Sequence, residues 1–162
     1  RLRLLHCPKR SSRINVTMKK LLIIAFLALI MNSVDAQPVI YNSIGFKHTP
    51  YIQALCTELN IDKNIYILHT DLPVKGYAVK NGFGGYIICI NMSKIDYFEL
   101  REVLAHELCH VRDDILGVWD LEIPTTIATP TRSMYVSEEA KQVELRVKKE
   151  GRLLSRKFTK IK

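Results

Sequence analysis

The stretch His106-Glu107-Leu108-Cys109-His110 constrains this chain more than any other, because it sets two imidazoles four residues apart. Residues 95–115 around it carry Leu104, Leu108, Val111 and Ile115 at i, i+4, i+7 and i+11, which predicts one long helix with a core-facing stripe. On that helix His106 and His110 lie at about 200° and 240° from Leu104, off the stripe and on a shared side. A histidine that merely fills a core would sit on the stripe. Two that leave it together can hold one zinc ion, at about 2.0 to 2.1 Å from each nitrogen. Glu107, beside the first histidine, is then placed to take a proton from a metal-activated water.

A catalytic zinc takes three protein ligands and keeps a fourth position open, so another residue must complete the set. No histidine follows His110, and the HExxHxxGxxH pattern would need a histidine where Leu116 stands and a glycine where Asp113 stands. The remaining source is a carboxylate. A further helix is expected from near Ser137, with Val136, Ala140, Val143 and Val147 on one face, running into Lys148-Lys149-Glu150-Gly151. Measured from Val136, its apolar face centres near about 20°, and Glu138 falls at about 200°, Glu144 at about 80° and Glu139 at about 300°. Glu138 points to solvent. The border position of Glu139 makes it the expected third ligand, with Glu138 as the alternative and Glu144 behind both.

The net charge of +8 has to be divided before it implies a partner. Residues 1–36 hold seven Lys/Arg and one acid, a net of +6; residues 37–140 hold eight against thirteen, a net of −5; residues 141–162 hold nine against two, a net of +7. The metal-binding body is therefore acidic. The basic residues 151–162 read as a solvated tail, because no aromatic but Phe158 interleaves them, and no nucleic-acid partner is expected. Cys7, Cys56, Cys89 and Cys109 show no CxxC spacing and read as buried thiols rather than a disulfide framework.

Met18-Lys19-Lys20, the eleven apolar residues Leu21 to Met31 and the small residue Ala36 have the three-part form of a secretory signal peptide, residues 18–36, cleaved before Gln37. Eleven residues fall short of the roughly 20 that span a bilayer, so export to the periplasm or the outside is expected. Membrane contact would come only through an uncleaved anchor at residues 21–31. Residues 1–17, Arg-rich and without periodicity, read as a leader apart from the working protein.

The working domain is expected over residues 37–150. Thr49-Pro50 opens a predicted helix to Asn60, and Ile65 to Leu68, Gly76 to Lys80 and Tyr86 to Asn91 read as strands, the last two joined through an Asn81-Gly82 turn. These give an α+β fold with a small, mostly antiparallel sheet. Asp96 or Ser93 caps the long helix and Gly117 ends it, after which residues 118–134, with Pro124 and Pro130, form an irregular connection suited to bordering a cleft. His48 and His69 read as surface or cap residues.

With Val103 to His110 and Ser137 to Glu144 as the matching pieces, the chain resembles the minimal zincin-like metallopeptidases of the gluzincin type, most of all the ImmA/IrrE-like and related small peptidases. The resemblance covers roughly residues 47–150. It implies Zn2+ held by His106, His110 and Glu139, Glu107 as general base, and a peptide or protein substrate. It also implies that the edge strand before the active helix, here Tyr86, Ile87, Ile88, Cys89 and Ile90, pairs with substrate as an added strand. An oxyanion donor is needed as well, for which Tyr135 and Arg132 are candidates, and Asp113 or Asp114 can orient a ligand imidazole. Two other classes share these residues: a zinc amidase acting on cell-wall peptide, and a non-catalytic, zinc-stabilised binding protein.

Overall fold

The computed structural model describes residues 38–128 and 133–161, which belong to one unit spanning Gln37–Lys162. The leader, the signal segment, Cys7 and Arg132 lie outside the described residues. In chain order the elements are β1 (Ile40–Asn42), a single helical turn, α1 (Thr49–Glu58), β2 (Ile65–His69), β3 (Gly76–Lys80), β4 (Tyr86–Ile90), α2 (Tyr97–Ile115), β5 (Thr126–Ala128), β6 (Ser133–Tyr135) and α3 (Glu138–Lys157). The α+β class stands, but the sheet is mixed and not mostly antiparallel.

The hairpin comes first. Asn81 closes it, its side-chain oxygen accepting from the backbone N–H of Phe83 at 3.0 Å and of Gly85 at 2.8 Å, so β3 and β4 pair antiparallel with Ala78 opposite Ile88. The chain β1–α1–β2 is a crossover unit, and crossovers return strands in parallel. β4 then enters beside β2, also parallel, giving the order β1-β2-β4-β3. Two of the three pairings are therefore parallel. The uncharged run Tyr-Ile-Ile-Cys-Ile of β4 is that of a strand flanked on both sides. β4 is central, and the edge next to the helix is β3, which corrects the expectation that Tyr86 to Ile90 pairs with substrate. β1, three residues long, carried too little pattern to be expected at all.

Ile65, Ile67, Ile88 and Ile90 face Ile52 and Leu55 of α1, Leu104, Leu108 and Val111 of α2, and Val147 of α3, all completely buried in one core cluster. Each such side chain contributes about 1.5–3 kcal/mol by leaving water. α2 begins as expected: an Asp96 carboxylate oxygen accepts from the N–H of Phe98 at 2.9 Å and of Glu99 at 2.8 Å, and Gly117, with φ +66°, follows its end. Ser137 caps α3 by accepting from the N–H of Ala140 at 3.0 Å.

The expected solvated tail is instead the last turns of α3, which continue through Gly151 to Lys157. Their apolar side is filled by Leu154, while Arg101 lies 4.1 Å over the Tyr51 ring and donates to the carbonyls of Phe158 and Ile161. His48 does stand at the N-cap of α1, but it is buried rather than at the surface, packed against Tyr97, with burial and the charges of Lys47 and Arg101 lowering its pKa. Cys56, Cys89 and Cys109 are free and buried as expected, and burial pushes the Cys109 thiol up to about 12. No helix among the described residues is long and apolar enough to cross a membrane.

Candidate metal centre

α2 and α3 come close together where Gly151 crosses His106. A Cβ at 151 would lie 3.0 Å from both Cα and N of His106, so only a glycine lets the two backbones meet there. Glu144 is seven residues earlier on α3, two helical turns and therefore on nearly the same side. The crossing at Gly151 brings it down onto the two histidines.

Two imidazole nitrogens meet the two oxygens of one carboxylate. His106 Nε2 is 3.1 Å from Glu144 Oε1, His110 Nε2 is 3.3 Å from Glu144 Oε2, and the two Nε2 atoms are 3.2 Å apart. Tetrahedral ligands at about 2.0–2.1 Å from zinc stand about 3.3 Å from one another, close to the separation of the two nitrogens, and one donor atom from each of the three residues lies within 4.8 Å of the others. Protonation points the same way. With a proton on both Nε2 atoms, two N–H groups face each other; with a proton on one, the bare nitrogen of the other faces a carboxylate oxygen. A cation between them accepts a lone pair from each of the three side chains and removes the conflict. His106, His110 and Glu144 can therefore hold a metal ion, and they are the one such group among the described residues.

The electrostatics agree. Burial works to raise the Glu144 carboxyl, but hydrogen bonds and charge from His106 and His110 outweigh it and hold the group well below the usual carboxylate range. Burial works to lower His106, and Glu144 and Glu107 overcome it, so its pKa is raised. Thr125 donates its hydroxyl to Glu144 Oε2 at 3.2 Å, fixing the carboxylate from the wall of the cleft.

Glu107 is only 6% exposed and, with no hydrogen-bonding partner among the described residues, faces the same cleft. Desolvation raises its pKa, opposed by the two histidines and reinforced by Glu144. Gly76, the first residue of β3, makes room for it: a Cβ there would lie 3.1 Å from Glu107 Oε1. The outer edge of β3 and residues Trp119 to Thr125 border the cleft, as expected for the connection after α2. Trp119 both lines it and packs on the core, with its indole N–H donating to Ile123 O at 3.0 Å.

Several expected residues fall elsewhere. Glu139 is exposed on the first turn of α3 and Glu138 pairs with Lys141 at 3.1 Å, so neither joins the histidines. Tyr135 is 43% exposed on β6, not at a helix start, and does not line the cleft. Asp113 and Asp114 do not orient an imidazole. Asp113 is fully buried between Arg112 at 2.7 Å and Arg146 at 2.6 Å, and Asp114 accepts from the Tyr86 hydroxyl at 2.8 Å and pairs with Lys80 at 3.0 Å. Among the described residues His110 Nδ1 is buried with no protein partner. β1 lies at the sheet edge opposite β3.

The signal for Glu144 was present in the sequence. Gly151 shares its side of α3, but read as a helix end it hid the crossing that selects Glu144. No protein-family model, curated protein or solved structure matches this chain.

Proposed function

We propose that this chain is an exported zinc peptidase of the zincin-like, gluzincin type, in which His106, His110 and Glu144 hold the metal and Glu107 is the general base. One observation carries the reading: His106, His110 and Glu144, in mutual contact at 3.1–3.3 Å, share an open cleft with a buried carboxylate that has no partner among the described residues. Three ligands facing a cleft favour a catalytic over a closed structural site, which would use four.

The zinc, when bound, supplies Lewis acidity to a water and to the scissile carbonyl. The protein does the rest. The free edge of β3 offers main-chain donors and acceptors to an extended peptide, which fixes the substrate's direction across the cleft. Glu107 accepts the proton of the attacking water and passes it to the leaving amine, and its raised pKa strengthens it as the base for that exchange. Thr125 and the close crossing at Gly151 keep Glu144 in place while this happens.

The test is paired. Elemental measurement should find one zinc per chain in both the wild type and Glu107→Gln, with hydrolysis of casein-like proteins lost only in the variant. Full activity in Glu107→Gln, or no bound zinc in either protein, refutes the reading. Cleavage of peptidoglycan peptides alone would move the substrate to the cell wall.

A further inference from the structure

The cleft divides at the ligands into two unlike arms, with Gly76, His106, Glu107 and Glu144 lining both. One arm, a cavity of about 290 Å³, is walled by Val74, Val79, Trp119, Leu121, Ile123 and Pro124. Beyond the central groups its lining carries no charge. The other, about 370 Å³, is bordered by Lys75, Glu99, Glu102, Lys148 and Arg152.

The charges in the second arm are not equivalent. Lys75 Nζ is 2.7 Å from Glu99 Oε1 and Arg152 Nε is 2.6 Å from Glu102 Oε1, so both cations are neutralised. Lys148 has no carboxylate partner among the described residues. It stands one turn beyond Glu144 on α3 and lines the same arm as His106 and Glu144. The carboxylates of Glu107 and Glu144 together balance a divalent ion, which leaves the Lys148 ammonium as the uncompensated charge of the second arm. A fixed cation beside a metal site is favourable only when an anion arrives with the ligand.

We propose that the charged arm receives a carboxylate-bearing residue of the substrate, ion-paired to Lys148, while the apolar arm receives a large apolar residue across the scissile bond. This rests on the peptidase reading of the site. The carboxylate has two sources, an Asp or Glu side chain and a free C-terminus, and both present the same anion to the ammonium. Cavities of this size each seat one or two residues, so recognition is confined to the neighbours of the cleaved bond.

The experiment uses the zinc-loaded full chain and quenched peptides that place Leu beside Asp, Asn or Lys, in both orders, with amidated ends. A further Asn peptide ends in a free carboxylate. Hydrolysis is measured with the wild type, and binding of the same peptides with zinc-loaded Glu107→Gln by calorimetry. A carboxylate is expected to improve binding and kcat/KM about tenfold over the amidated Asn peptide. The Asp and free-carboxylate peptides show which source the arm takes. Lys148→Gln should erase the preference and Lys148→Glu should turn it toward Lys. Equal binding of all peptides to the protein with Lys148 intact, or an unchanged preference in Lys148→Glu, overturns the proposal. Selective binding without hydrolysis would overturn the peptidase reading and leave this inference standing; hydrolysis without preference would do the reverse. If no peptide binds or is cleaved, both fall.

Discussion

Replacing Gly151 with alanine tests whether the α2–α3 crossing sets the metal site. The new methyl would stand 3.0 Å from Cα and N of His106 and 3.4 Å from the carbonyl carbon of Ala105. These are main-chain atoms of a hydrogen-bonded helix and cannot rotate aside, so α3 must withdraw by a few tenths of an ångström. Glu144 lies two turns back on the same side of α3, about 10.5 Å along the axis, and is carried outward with it. Ligand distances in a metal site tolerate about ±0.2 Å, so the withdrawal exceeds what the site absorbs. Stability responds differently, because alanine gains about 1 kcal/mol of helix propensity over glycine while overpacking costs about 1–3 kcal/mol. The metal-free variant should therefore lose no more than about 2 kcal/mol, while zinc affinity falls about 10- to 100-fold. Competition with a chromogenic chelator measures the affinity, and thermal unfolding in chelator measures the fold. Wild-type zinc affinity in Gly151→Ala, or outright unfolding of the metal-free variant, would refute the reasoning.

The assignment of the third ligand predicts that Glu144→Ala abolishes stoichiometric zinc binding while Glu139→Ala and Glu138→Ala retain it, as read by elemental content after dialysis. Gly76→Ala should give the opposite profile to Gly151→Ala. Its methyl would stand 2.7 Å from Val103 Cγ1 and 3.1 Å from Glu107 Oε1, displacing the base, so kcat should drop about 100-fold at unchanged zinc content. In the metal-free protein the His106 pKa is raised above 6.5, so its pairing stabilises fully below that pH and is lost as pH rises through the raised value. Glu144 is lowered from 4.5, so its contribution is present above 4.5 and lost as pH falls through the lowered value. Glu107, raised by burial, adds a cost as pH climbs past 4.5. Tm measured in chelator should therefore crest between pH 4.5 and 6.5, and a crest above pH 8 would contradict the pairing.

What could be read in the sequence followed from local periodicity. The i, i+4 histidines, the Asp96 and Ser137 caps, the Gly117 stop and the Asn81 hairpin are each decided within a few residues, and each is found where expected. The errors concern distance in the chain. Whether β4 is central or at an edge depends on where β2 lies, which no pattern inside β4 states, although its lack of any charged residue is the mark of a strand with neighbours on both sides. In the sequence Asp113 and Asp114 are open to an imidazole-orienting role because their true partners are scattered, Arg146 on α3 for the first, Tyr86 and Lys80 on the sheet for the second. The ligand glutamate was missed for a related reason. Helical angle alone separated Glu139 from Glu144 by little, and the choice is made by a glycine seven residues later whose role exists only once two helices cross.

Thr125 and the segment leading to it give the ligand set a second meaning. The chain from His110 to Glu144 includes the cleft wall of Trp119, Leu121, Ile123 and Pro124, and Thr125 ties that wall to the glutamate. A metal held at both ends of this segment closes it into a ring, and a ring of roughly 35 residues restricts the open chain by about 4 kcal/mol on the loop-entropy scale used for disulfides. In the proposed peptidase the ion would thus also clasp the wall of the apolar arm. A chelator should then loosen the shape of that arm as well as stop cleavage.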